Sequence, residues 1–140
     1  MILSPASIAA LAGRGIRIPV YDRNSVTIGI VHFGPGAFHR VHQAYYVDEV
    51  LSRDSRWGIC EVSLHSKGVR DALEPQDGLY TIAILDAQAS FRVIGAVKEV
   101  LVAPESPSAV IERLVNPATR IVSATITEKG YCLSKEGGLD

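Results

Sequence analysis

The chain has 140 residues, 47% of them hydrophobic and 21% charged, with a formal net charge of -1; this is the length of one domain with an ordinary globular balance. The near-neutral charge provides no basic footprint for nucleic acid and no polybasic patch for a membrane, and no run approaches the ~18 apolar residues of a membrane span. Two cysteines, Cys60 and Cys132, are too few for a disulfide framework, so a reducing cytoplasm is the expected compartment.

Ser4-Pro5 reads as a helix N-cap followed by a first-turn proline, with Ile8 and Leu11 as a small apolar stripe and Gly13 as the stop. Residues 14–25 are expected to be extended and irregular, broken by Pro19, Asp22 and Asn24. Residues 26–33 include Val26, Ile28, Ile30, Val31 and Phe33, the pattern of a strand covered on both faces. Gly34-Pro35-Gly36 then makes a tight turn. From Ala37 onward, Val41, Ala44, Val47 and Leu51 recur at helical spacing, predicting one helix over 37–51. Strand, glycine turn, helix is how a protein offers unpaired N–H groups and a positive helix end to a phosphate. Gly34 would permit a turn that strains other residues, and Gly36 would let a pyrophosphate approach the backbone. Measured against the G-x-G-x-x-G fingerprint, the third position is His39, and Pro35 removes one donor from the turn.

Residues 57–64 form a second strand, with Cys60 as a buried thiol. Ser66 is placed to cap a short helix carrying Val69 and Leu73, which Pro75 ends. Gln76-Asp77-Gly78 reads as a turn entering a hairpin whose arms, 78–86 and 91–97, flank Ala87-Gln88-Ala89-Ser90; the second arm can run on through 100–103. Ser106-Pro107 opens another helix, with Val110, Ile111 and Leu114 as its apolar stripe and Asn116-Pro117 as its end. A further strand is expected over 120–127, and the polar residues 134–140 are expected to fray. This alternation predicts an α/β fold: a doubly wound, mostly parallel sheet with an inserted β-hairpin. Ligands of such sheets bind beyond the carboxyl ends of the strands, so the loops 34–40, 64–67 and 125–129 converge on one crevice.

An acid ending the second strand is what reads the adenosine ribose. Asp54 has the usual ~20-residue separation but precedes that strand, which ends Leu64-His65-Ser66-Lys67 without a carboxylate. Lys67 could accept a 2′-phosphate there. His39 and His42 lie three apart, yet no third ligand follows at matching spacing, and no metal is expected. Arg40, near the helix start, faces the pyrophosphate or a carboxylated substrate, or else is held in an ion pair.

The run G-I-V-H-F-G-P-G-A-F-H-R-V-H-Q-A-Y over 29–45 resembles the G-x-G-x-F-H-R-x-H-x-A signature of the long-chain polyol dehydrogenases. This is the mannitol 2-dehydrogenase family, which includes fructuronate and altronate oxidoreductases. The likeness continues in order through Y-D-R at 21–23, W-G-I-C at 57–60, V-R-D-A-L at 69–73 and P-Q-D-G-L-Y-T at 75–81. It closes with A-T-R-I-V-S at 118–123 and T-I-T-E-K-G-Y at 125–131. Within this family histidine is normal at the third fingerprint position.

The resemblance implies a Rossmann-like cofactor domain of a zinc-independent oxidoreductase. Such an enzyme moves a hydride between NAD and a polyol, ketose or hexuronate, as mannitol 2-dehydrogenase or fructuronate reductase does; NADP stays open. The segments 69–73 and 76–81 look closer to the fructuronate-type members. The cofactor-binding positions so implied are Val31, His32, Phe33, Gly34, Pro35, Gly36, Ala37, Phe38, His39, Arg40, His65, Ser66, Thr125 and Thr127, the last two near the nicotinamide half. Glu128 and Lys129 are expected to be no more than an exposed ion pair.

The family's catalytic K-x-x-x-x-N-x-x-H motif is absent: none of Lys67, Lys98, Lys129 and Lys135 is followed by asparagine and histidine at that spacing. No catalytic residue is therefore expected in this chain. Residues 1–140 are expected to be the N-terminal dinucleotide-binding domain of a longer enzyme, lacking the helical catalytic domain that would be its main contact. Its small-molecule partner would be a sugar alcohol or sugar acid. The alternative is a non-catalytic nucleotide-binding fragment or interaction module; a third reading is a remnant that folds poorly because its faces are uncovered. Everything turns on backbone amides near residues 34–37, at a helix mouth, gripping the diphosphate of a nicotinamide nucleotide.

Overall fold

The computed structural model describes residues 2–126 and Gly138. The chain begins with α1 (Pro5–Ile8), where the Ser4 hydroxyl accepts from the Ser7 amide and the Ser7 hydroxyl from the Ser4 amide, a reciprocal capping box. The helix tightens into a 3-10 turn over Ala9–Arg14 and stops at Gly15, whose φ is +73°. The stop is thus Gly15 rather than Gly13, because the left-handed backbone is needed only after the tighter turn is complete.

The expected irregular stretch contains a short strand, β1 (Ile16–Arg17), and a turn over Arg23–Ser25 capped by the Asp22 carboxylate. Next come β2 (Ile28–Phe33), α2 (Ala37–Val41), α3 (Gln43–Val50), β3 (Gly58–Ser63) and α4 (Gly68–Leu73). The chain continues with β4 (Tyr80–Ile84), β5 (Ser90–Ile94), β6 (Val97–Val102), α5 (Pro107–Val115) and β7 (Ile121–Ala124). Four strands form an all-parallel sheet in the order β6-β3-β2-β7, and the other three form a small sheet in the order β1-β5-β4.

Both sheet faces are covered, as parallel sheets require. On one face Ile30 and Ile59 pack with Ala44 of α3, Leu51, Leu73 and the inward residues Tyr80, Ile82 and Ile94 of the hairpin. On the other, Val31, Cys60 and Val62 pack under Val110 and Leu114 of α5. A third cluster, Leu3, Leu11, Leu79 and Val93, joins the N-terminal turns to the small sheet.

Two expectations about the larger elements are also corrected. The helix predicted over 37–51 is broken at His42 (φ -114°, ψ -78°). The Tyr80 hydroxyl donates to the Arg40 carbonyl at 2.7 Å, the acceptor a straight helix would offer to the Ala44 amide. A side chain inserted into the i→i-4 ladder is a recognised cause of such a kink. Secondly, the hairpin is β4 against β5 alone, and 97–102 leaves it to become an edge of the parallel sheet. Side chains tie down the backbone at the exit: the Gly95 amide donates to Asp48 and its carbonyl accepts from Arg23. Ser106 sits at the start of α5 as expected, but its side chain makes no capping bond.

Candidate functional site

From β2 the chain moves outward through β3 to β6, then returns to the opposite side of β2 as β7. The carboxyl ends of β2 and β7 are therefore where the winding direction reverses, the position at which open α/β sheets hold their ligands. Gly34 stands there with φ +94°, a conformation that suits glycine. Its amide donates to the Val62 carbonyl and the Thr125 amide donates to Phe33, binding the three strand ends together. A depression of about 300 Å³ opens beside them, lined by Gly34, Pro35, Gly36, Ser63, Val69 and Thr125. A Cβ built on Gly36 meets no atom within 4 Å, so the backbone is approachable on that side.

The geometry sharpens which amides are available. The Gly34 amide is engaged by Val62 and the Gly36 amide by the Gly34 carbonyl at 2.7 Å, and Pro35 has no N–H. Of the span 34–37 only Ala37 is left, and the donors at the helix mouth are the first-turn amides of Ala37, Phe38 and His39, which have no helical residue four back to accept them.

Beneath this turn lies a polar cluster inside the core. His32 and Glu61 are register partners on β2 and β3 and face α2; both are fully buried. The His39 ring descends from α2 and stacks on His32 with centroids 3.6 Å apart and planes 8° from parallel. The Gln43 side-chain oxygen lies within hydrogen-bond distance of His39 Nδ1, at 2.7 Å. The His39 Nε2 faces Glu61 Oε1 at 3.4 Å. Burial pushes the Glu61 carboxyl up to about 7 and the His39 imidazole down to about 4, so near pH 7 the imidazole is uncharged and the carboxyl is about half protonated. His32 reaches the Ser123 and Thr125 hydroxyls at 2.9 and 3.0 Å, linking the cluster to the lip of the crevice.

The other candidate residues divide between crevice and core. The Val31 side chain packs against the α5 face, Phe33 is half-buried at the strand end, and Phe38 is exposed and stacked on His42. His39 points inward while His42 lies exposed against the Phe38 carbonyl, so the two histidines diverge. Arg40 lies over the Tyr80 ring, 5.9 Å from its centre, and its buried Nε has no partner among the described residues. His65 is exposed; the Ser66 hydroxyl accepts from the Gly68 amide at 3.1 Å, but the N-cap of α4 is Lys67, which makes no side-chain capping bond, so Ser66 closes the turn rather than capping the helix as expected. Thr127, Glu128, Lys129 and Cys132 lie outside the described residues. Asp54 caps the turn that enters β3, accepting from the Arg56 amide and the Trp57 indole, at the end of the sheet remote from the crevice.

Sequence reasoning missed Glu61, although a carboxylate at the centre of an otherwise apolar strand is itself a signal. It also missed Arg23, buried among the carbonyls of Asp77, Gly95 and Val97, and Asp48, held by Tyr21, Arg92 and Gly95. Among the described residues no helix is long and apolar enough to cross a membrane.

Strand order, switch point and glycine turn together define a Rossmann-like α/β domain. The family described as "Mannitol dehydrogenase Rossmann domain" matches residues 28–136, and the chain belongs to that family. It is 45% identical over 127 residues to a mannitol 2-dehydrogenase of Pyrenophora tritici-repentis, covering 87% of this chain and 22% of the relative. It is 44% identical over 132 residues to one from Aspergillus fumigatus, covering 90% and 26%. Among solved structures, a Pseudomonas fluorescens mannitol 2-dehydrogenase in a ternary complex with NAD and D-mannitol superposes with a TM-score of 0.88 at 39% identity, over 99% of this chain and 30% of that one. A substrate-free D-sorbitol dehydrogenase gives a TM-score of 0.83 at 37% identity, over 100% and 30%. The chain thus spans about a quarter of the length of the curated relatives it matches.

Proposed function

We propose that residues 1–140 are the dinucleotide-binding domain of an oxidoreductase that moves a hydride between NAD and a polyol, ketose or hexuronate. The observation that carries this is the glycine turn at the switch point, with its left-handed Gly34 and open Gly36 facing a shared depression. The P. fluorescens relative holds NAD and D-mannitol, which favours a polyol over an acid as substrate. The diphosphate would be held by the first-turn amides Ala37, Phe38 and His39, with Pro35 and Gly36 as the close-approach surface. His65 and Ser66 would flank the adenosine half, and Thr125 and Thr127 the nicotinamide half. Bound nicotinamide supplies the hydride acceptor. The chain's own residues orient it: Val31, His32 and Phe33 hold the strand end, and Arg40 lies free of any ion pair among the described residues to meet an anion.

The group that takes the hydroxyl proton comes, on this reading, from a further domain of the enzyme, and that domain is the main partner of this one. Exposed Phe38, Val41 and Tyr46 on α2 and α3 are suited to such a contact. A buried, unpaired Cys60 thiol fits a reducing cytoplasm.

Titrating the chain with NADH and following nicotinamide fluorescence tests the reading. Saturable binding is expected, and Gly34→Ala, forced from φ +94°, should lose about 1–2 kcal/mol of stability and most of the binding. A chain that stays folded and ignores NADH overturns it. For the intact enzyme, absorbance of NADH with mannitol, fructose, sorbitol and fructuronate identifies the substrate.

A further inference from the structure

The turn between β3 and α4 is the place where a nucleotide's adenosine ribose meets a sheet of this order. Ser63, the last residue of β3, and Val69, in α4, line the same depression as Gly34 and Gly36. Between them the chain folds on itself: the Ser63 hydroxyl accepts from the Ser66 amide and the Ser66 hydroxyl from the Gly68 amide, each at 3.1 Å. His65 and Lys67 are left exposed on this turn, and among the described residues neither has an ion-pair partner. Among the described residues no unpaired carboxylate competes for the position. Glu61, the single acid of β3, is sealed under His39; Asp54 is at the far end of the sheet; Asp71, Glu74 and Glu105 are paired with Arg70.

An acid at this turn accepts the ribose 2′-hydroxyl of NAD and repels the 2′-phosphate of NADP, so discrimination depends on the repulsive element. This chain lacks it and offers a free ammonium instead. Resting on the dinucleotide reading above, we propose that the β3–α4 turn accepts the 2′-phosphate of NADP, with Lys67 as its charge partner. The domain then binds NADPH at least as tightly as NADH.

Fluorescence titration of the 140-residue chain with NADH and with NADPH tests this, alongside Lys67→Glu and Lys67→Gln. Lys67→Gln removes the ammonium without placing a new charge at the start of α4, and so serves if Lys67→Glu fails to fold. Wild-type chain is expected to bind NADPH as tightly as NADH or better. Either substitution should weaken NADPH about tenfold or more, the worth of one hydrogen bond to a charged group, and leave NADH within about twofold. Binding of NADH with NADPH at least tenfold weaker overturns the proposal and leaves the dinucleotide reading standing, as does an equal loss of both nucleotides in the variants. Failure of a folded wild-type chain to bind either overturns both.

Discussion

Glu61 shows how a single buried carboxyl shapes the behaviour of this chain. Its pKa is raised from 4.5 to about 7, chiefly by burial, so between those values the folded state holds a proton that the unfolded state releases. Stability contributed by Glu61 therefore falls as pH rises through that window and stays reduced above it. His39, lowered from 6.5 to about 4, acts with the opposite sign: the folded state holds fewer protons, so its contribution falls as pH drops from 6.5 towards 4. The two slopes oppose each other between 4.5 and 6.5, leaving a decline on the acid side and another from 6.5 to about 7. Glu61→Gln removes the Glu61 slope over the whole window from 4.5 to about 7 and leaves that of His39. It should match wild type in stability near pH 4.5 and exceed it by about 3 kcal/mol at pH 8, the worth of the shift. Urea unfolding at both pH values checks this, and an offset that is the same at both contradicts it.

Turns and strand ends owe their placement here to buried side chains as much as to local propensity. Arg23 donates to the Gly95, Asp77 and Val97 carbonyls and pairs with the Asp77 carboxylate at 2.6 Å. It thereby holds the left-handed pair Asp77 and Gly78 (φ 53° and 74°) against β6, where a Cβ on Gly78 would come within 2.2 Å of the Val97 carbonyl. The turn at Gln76-Asp77-Gly78 was legible because its residue types are turn formers. The arginine that locks it was not, since an arginine in a polar stretch ordinarily stays in water. Arg23→Met is expected to cost about 3 kcal/mol, because two buried carbonyls and a partly buried one lose a charged donor. Thermal or urea unfolding measures it, and a change below about 0.5 kcal/mol, the usual range for surface sites, excludes the structural role.

The fold as a unit presents an unfinished edge. Strand β7 has β2 on one side and no strand on the other among the described residues, and it exposes Ile121 (44%) and Val122 (56%). An unpaired apolar edge is a template for association with another chain. The 140-residue chain alone is expected to self-associate at micromolar concentration, and Val122→Lys, which places a charge on the edge, should shift it towards monomer. Light scattering after size exclusion reads this; a wild-type chain that is strictly monomeric contradicts it.

Periodicity and turn chemistry act locally, and so the parallel α/β class, the glycine turn and the family likeness could all be read from residue order. The strand 26–33 followed by G-P-G and an amphipathic run needed no coordinates to be recognised. What sequence order could not reveal depends on partners distant along the chain. Tyr80 breaks a helix forty residues earlier by bonding the Arg40 carbonyl. Gly95 ends a hairpin because Asp48 and Arg23 hold it. His32, His39 and Glu61 become one buried polar cluster only when two strands and a helix meet. A side chain's burial, and with it its charge state, is set by such long-range packing, which no local pattern encodes.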